Sequence, residues 1–318
     1  MHVVIRSCWG GPEVLELTEL PTPEPGKGEV LVRVAAAGID AGVLHLITGE
    51  PRVLRFGLGR TAPRSARIGT ELAGTVEAVG EGVTSLSVGE RVFGVTDGSF
   101  ADAVVASASK LARIPAGVDP VDAAAAAVSG MTALDALRVA GALAGRRVLV
   151  LGAGGGVGTF VVQFAVAEGA TVTGVCSTAK LELVRSLGAQ HVVDYTVAEP
   201  TGEYDVIVDT GGRRDLTQLS DLLVRGGTAA LVGGEGGGPV LGGFERQLLA
   251  PLRMLFSGRR FVSVMSSTTT AKLERLGARL AAGDARAAID RRYPLAEAGD
   301  AMRHFASGSV AGKLVLVP

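Results

Sequence analysis

With 318 residues, and 31 Lys and Arg against 32 Asp and Glu, the chain is long enough for two domains and close to neutral. A balanced charge argues against a nucleic-acid binder that works through a basic face, and no charged tail suits it to a membrane surface. Two cysteines, Cys8 and Cys176, exclude a disulfide framework and a zinc cluster built from cysteine alone.

The opening segment, MHVVIRSCWGG, lacks the basic leader and apolar core of a signal peptide, so a soluble cytoplasmic protein is expected. Residues 1–115 read as strands and turns. Short strands are expected at 3–5 and 13–18, a proline-glycine turn at 21–29, and an apolar strand at 30–37. The segment GTELAGTVEAV, residues 69–79, alternates like a half-buried strand. Short strands punctuated by glycine imply a compact, mostly antiparallel, barrel-like unit.

The pattern changes near Pro115. Residues 119–144 are alanine-rich and helical in character, with Asp119 and Asp122 at the acidic start that a helix prefers. Strands then alternate with helices: strands at 147–151, 171–175, 191–193, 204–209 and 228–232, helices at 159–168, 179–187 and 215–224. Such alternation implies a parallel sheet covered on both faces. A strand at 260–265 is expected to close that sheet, followed by helices at 271–282 and 296–306 and a strand at 313–317.

The most informative stretch is VLVLGAGGGVGTFVVQFAVA, residues 148–167. It carries no charge and has a length that suits a membrane span, but five glycines interrupt it. A strand, a glycine turn and a helix in that order make a phosphate cradle, with the helix N-terminus facing the anion. The candidate cofactor residues there are Gly152, Gly155, Gly156, Val157 and Gly158, with Ala153 where G-x-G-x-x-G has its first glycine. A site selective for NAD places an acid at the end of the second strand. Here that strand ends in Cys176-Ser177-Thr178-Ala179-Lys180, and no acid follows before Glu182. Ser177 and Thr178 suit a ribose 2′-phosphate and Lys180 suits its charge, which points to NADPH, although Lys180 alone is equally a solvated helix residue. Gly233, Gly234 and Glu235 follow a later strand, at the end of the sheet where ligands lie, and GGGPVLGG beyond them suits a lid.

The ordered segments PTPEPGKGEVLVRVAAAGID, GTELAGTVEAVGEGV, VGERVFG, GMTAL, VLVLGAGGGVGTFVVQFA, VRSLGAQHVVDY and AGKLVLVP resemble the medium-chain dehydrogenase/reductase superfamily. The resemblance covers nearly the whole chain and is closest to the zinc-free quinone oxidoreductase branch. It implies an α/β fold: a Rossmann doubly wound parallel sheet, residues 121–267, inserted in a GroES-like, mostly antiparallel β-barrel catalytic domain, residues 1–120 plus 268–318. Zinc-dependent relatives carry a Cys and a His where this chain has Asp40 and Thr70, so no metal is expected. Without a Lewis acid, the expected reaction is NADPH-dependent reduction of a quinone or an α,β-unsaturated carbonyl.

The resemblance also suggests roles. Tyr195 matches a Tyr that helps to hold the 2′-phosphate, and Thr132 matches a Thr near the nicotinamide, although a helix-interior Thr bonded to its own backbone reads equally well. His45 stands where zinc relatives have a proton-relay His; it is either a proton donor or a partly buried structural residue. Asp40 either lines the nicotinamide end of the cleft or caps a helix at 41–47. The loop 50–67, with Arg52, Arg55, Arg60, Arg64 and Arg67, either covers the substrate or is a solvated surface loop. A homodimer through the edge strand at 261–265 is expected. The competing functions are a zinc-independent secondary alcohol dehydrogenase and a non-catalytic NADPH-binding sensor or structural protein.

Overall fold

The computed structural model describes residues 1–233, 238, 240–243, 250 and 258–318. The chain forms two compact units, Met1–Met131 with Ser267–Pro318, and Thr132–Ser266.

The first unit opens with an antiparallel ribbon of β1 (His2–Ile5) and β2 (Glu16–Glu19). The expected strand at 13–18 starts late because Pro12–Val14 forms a 3-10 turn, closed by Val14 N–H donating to the Gly11 carbonyl at 3.1 Å and Leu15 N–H to the Pro12 carbonyl at 3.3 Å. The central strand is β3 (Glu29–Ile39), followed by α1 (Ala41–Thr48), the short α2 (Arg55–Leu58), β4 (Glu71–Val79), β5 (Arg91–Val95), β6 (Ala103–Ser107), β7 (Leu111–Arg113) and α3 (Pro120–Ala126). Val30, Val32 and Val34 of β3 point into an apolar core with Leu72 and Val76 of β4, while Arg33 faces outward and pairs with Glu77. This is the period-two pattern of a sheet with one buried face.

The expected single helix over 119–144 is two, α3 and then α4 (Ser129–Ala140), broken at Ala127 and Val128. Ala123 to Ala126 of α3 are fully buried, and α3 packs on β3 and β4. It therefore belongs to the first unit, and the expected boundary at 120/121 moves to Met131/Thr132.

The second unit contains β8 (Arg147–Leu151), α5 (Gly156–Ala167), β9 (Thr171–Cys176), α6 (Leu181–Ser186), β10 (His191–Asp194), β11 (Tyr204–Asp209), α7 (Leu216–Asp221), β12 (Leu223–Leu231) and β13 (Arg260–Ser263). Among the described residues its six strands are all parallel, in the order β10-β9-β8-β11-β12-β13. The chain winds outward from β8 in one direction and then from β11 in the other. This is the doubly wound Rossmann arrangement, whose switch point between β8 and β11 is where such sheets bind ligands. The uncharged stretch is thus a buried strand, a turn and the 12-residue α5, and no single helix among the described residues is long and apolar enough to cross a membrane.

The chain then returns to the first unit with α8 (Thr270–Ala281), β14 (Ile289–Pro294), α9 (Ala298–Ala306) and β15 (Lys313–Val317). The larger sheet runs β14-β15-β3-β4-β5-β7, with β6 also on β3; every pair is antiparallel except β14 with β15.

Candidate cofactor and catalytic sites

At the switch point, the Val175 carbonyl accepts from both Gly152 N–H at 3.1 Å and Ala153 N–H at 2.9 Å, which pins the start of the glycine turn to β9. Gly152 has φ +81°, and a Cβ there would lie 2.5 Å from Thr210 Oγ1. A Cβ on Gly158 would lie 2.1 Å from the Gly152 carbonyl oxygen, so α5 approaches the turn as closely as a backbone allows. Gly155 is the N-cap of α5, and its side-chain direction is open, with the nearest atom 3.4 Å away. The first N–H groups of α5, those of Gly156 and Val157 among them, have no helical acceptor and present a donor cluster to an anion. Ala153 fits without strain: it has no positive φ, it is fully buried, and Gly174 on β9 leaves room for its methyl group.

A second loop shapes this corner, and the sequence reading missed it. Asp209 ends β11, the strand across the switch point from β8, and Thr210-Gly211-Gly212 follows it. Thr210 Oγ1 donates to the Leu151 carbonyl at 2.8 Å, and buried Asp209 accepts from Gly212 N–H at 2.9 Å. Gly233 belongs to the same corner, its N–H donating to the Asp209 carbonyl at 3.1 Å. The signal was a strand, YDVIVD, running straight into TGG. Gly234 and Glu235 lie outside the described residues, as do Gly236, Gly237 and Pro239 of the expected lid. Thr132 is half-buried in α4.

At the outer end of β9, Ser177 is half-buried and Tyr195 is exposed, its N–H donating to the Cys176 carbonyl at 3.1 Å. The Lys180 stem lies across Gly154, where a Cβ would meet its Cβ and Cδ at 2.8 Å. The structure changes the reading of Thr178: its hydroxyl donates to Asp194 Oδ2 at 2.5 Å.

In the first unit, Asp40 caps α1, Oδ1 accepting from Val43 N–H at 3.2 Å, and its Oδ2 accepts from Thr70 Oγ1 at 2.8 Å. The two positions that bear ligands in zinc-dependent relatives are therefore bonded to each other. Beside them Glu71, fully buried, accepts from Lys313 Nζ at 2.9 and 3.0 Å. Burial pushes the Glu71 carboxyl up to about 8, against the pull of Lys313 and with a further push from Asp40. Among the described residues no three His, Cys, Asp or Glu side chains gather as a metal site.

His45, half-buried on α1, directs Nδ1 at the Glu50 carbonyl, 2.7 Å away. A carbonyl only accepts, so the proton sits on Nδ1 and neutral His45 offers a lone pair at Nε2. Donation from Nε2 needs the imidazolium, which narrows the proton-donor reading. In the loop 50–67, Arg55 is structural: it donates to the carbonyls of Gly49 and Thr48, both at 3.0 Å, at the C-terminal end of α1.

A domain model described as alcohol dehydrogenase GroES-like matches residues 26–116, and one described as zinc-binding dehydrogenase matches residues 187–316. A quinone oxidoreductase from Pseudomonas aeruginosa is 33% identical over 98% of both chains. The chain belongs to the medium-chain dehydrogenase/reductase superfamily, in its quinone oxidoreductase-like branch. This makes it an oxidoreductase with a GroES-like and a Rossmann unit. A 2-haloacrylate reductase from a Burkholderia species is 30% identical over 97% of this chain and 96% of its own. The solved quinone oxidoreductase of Escherichia coli, complexed with NADPH, superposes with a TM-score of 0.84 at 26% identity over all of both chains. In this medium-chain reductase the turn from Gly152 to Gly158 fits a dinucleotide pyrophosphate, because the face at Gly155 is open while that at Gly158 is closed by backbone.

Proposed function

We propose that the chain is a zinc-independent, NADPH-dependent reductase that transfers a hydride to a quinone or an α,β-unsaturated carbonyl. The observation that carries this reading is the bond between Asp40 and Thr70. It joins, as a carboxylate and a hydroxyl, the two positions where zinc-dependent relatives put metal ligands. Oxidation of an unactivated alcohol depends on a Lewis acid there, whereas an activated acceptor does not.

NADPH bound at the glycine turn supplies the hydride. The α5 N-terminus holds the pyrophosphate, and Ser177, Lys180 and Tyr195 surround the ribose 2′ group. Asp40, fixed by Val43 and Thr70, orients polar groups at the acceptor. His45 Nε2 exchanges a proton with it when the ring is charged, Nδ1 staying on the Glu50 carbonyl. The relatives named for quinones and for a haloacrylate support an electron-poor acceptor. The assembly in this reading is a homodimer through β13, which has a free edge among the described residues.

The test is NADPH consumption, followed by absorbance, against a panel of quinones and enones, with secondary alcohols plus NADP⁺ in parallel. Turnover of quinones or enones alone is expected. Alcohol oxidation at comparable rates overturns the reading in favour of a dehydrogenase, and NADPH binding without turnover on any acceptor in favour of a nucleotide sensor.

A further inference from the structure

We propose that Asp194 weakens the preference for NADPH, by placing a carboxylate where the 2′ group of the adenosine ribose is read. The assignment rests on the nucleotide reading above and concerns one corner of that site.

In a doubly wound sheet the ribose is read at the end of the strand next to the glycine strand, here β9. That strand ends without an acid in sequence, and Glu182 beyond it is paired with Arg185. The acid comes instead from the neighbouring strand. β10 lies on the outer side of β9, with Asp194 in register with Cys176, the last residue of β9. From there Asp194 Oδ2 accepts from Thr178 Oγ1 at 2.5 Å, and Oδ1 accepts from the Thr196 hydroxyl at 2.7 Å and its N–H at 2.9 Å. A residue 18 positions past Cys176 thus stands where a G-x-G-x-x-G site keeps its ribose acid.

These bonds, Thr178 first and then Thr196, hold the Asp194 carboxyl below the usual carboxylate range, so it is ionised at neutral pH. Its charge and that of Lys180 reach the same spot. Burial pushes the Cys176 thiol up to about 11, Asp194 adds to that rise, and Lys180 opposes it. Arg185 opposes it further but is paired with Glu182, so beside Thr178 the corner sets the cation of Lys180 against the anion of Asp194. A 2′-phosphate brings nearly two further negative charges. Lys180 attracts it and Asp194 repels it. A ribose 2′-hydroxyl instead donates to Asp194, as in NAD-selective sites. Thr178 cannot give its proton to a phosphate while it gives it to Asp194. Asp194 thereby holds down a preference for NADPH that Ser177 and Lys180 create, and it lets NADH compete.

The test is titration of NADPH and NADH, by nicotinamide fluorescence with no acceptor present, into the parent chain, Asp194→Asn and Lys180→Ala. Asparagine keeps the size and one of the two acceptor oxygens and removes the charge. Asp194→Asn is expected to tighten NADPH about tenfold relative to NADH. Lys180→Ala is expected to move the ratio the other way. An unchanged ratio in Asp194→Asn, or weaker NADPH binding, overturns the assignment while leaving the nucleotide reading intact. A parent chain that binds neither dinucleotide overturns both.

Discussion

Lys313 Nζ donates to both oxygens of Glu71, at 2.9 and 3.0 Å, across a sequence separation of 242 positions. Both side chains are buried, 1% and 0% exposed, so each is the other's substitute for water. Lys313→Met leaves the carboxyl without its donor and is expected to cost about 3 kcal/mol of stability in urea unfolding. The double variant Glu71→Met with Lys313→Met is expected to regain most of that loss. Equal losses in the single and double variants would refute the pairing as the cause.

The same carboxyl gives a pH dependence. Its folded value of about 8 lies above the unfolded value near 4.5. Below about pH 4.5 both states carry the proton. Between there and pH 8 the unfolded chain has released it and the folded chain keeps it. Stability from this group is therefore complete at low pH and is lost as pH rises through about 8. The urea midpoint of Glu71→Gln, followed from pH 5 to 9, is expected to show a shallower decline than that of the parent. Parallel curves would show that Glu71 does not titrate in this window.

Two glycines of one turn are expected to fail differently. A methyl on Gly158 meets the Gly152 carbonyl oxygen at 2.1 Å, whereas one on Gly155 meets nothing closer than 3.4 Å. Gly158→Ala should lower the melting temperature and weaken NADPH together. Gly155→Ala should leave the melting temperature within a degree or two and weaken NADPH by about tenfold or more, since its methyl enters the space of the pyrophosphate. Unchanged NADPH affinity in Gly155→Ala would move the pyrophosphate elsewhere.

His45 tests the proton path. His45→Phe keeps a flat ring and loses the bond to Glu50 and the Nε2 lone pair. A loss of about a hundredfold in kcat is expected, with NADPH affinity unchanged. A fall in melting temperature with normal kcat would assign the residue to holding the loop after α1 instead.

The Rossmann unit was legible because its signals are local. A strand, a glycine run and a helix follow one another within 20 residues, and the βα alternation repeats behind them. The glycine turn and the cap at Asp40 were likewise readable from neighbours. Asp194 was not, because its place depends on strand order: β10 lies beside β9, and no local pattern brings residue 194 to residue 178. The loop after β11 was hidden for the same reason, since Thr210 reaches the glycine turn only through the pairing of β11 with β8. Glu71 has no local signal either, because its partner Lys313 stands in the last strand. The alanines at 123–126 read as helix, which they are, but alanine says little about which core will bury it.

The placement of β15 bears on how the chain is made. Its residues Leu314–Leu316 lie along Ala37–Ile39 of β3, and Lys313 reaches Glu71, yet all of Thr132–Ser266 is synthesised between them. A nascent chain therefore carries the entire dinucleotide-binding sheet out of the ribosome while the first sheet still lacks β14 and β15 and holds an unmatched acid. The unit that begins first is completed last, so vectorial synthesis favours closing the inserted sheet before its host.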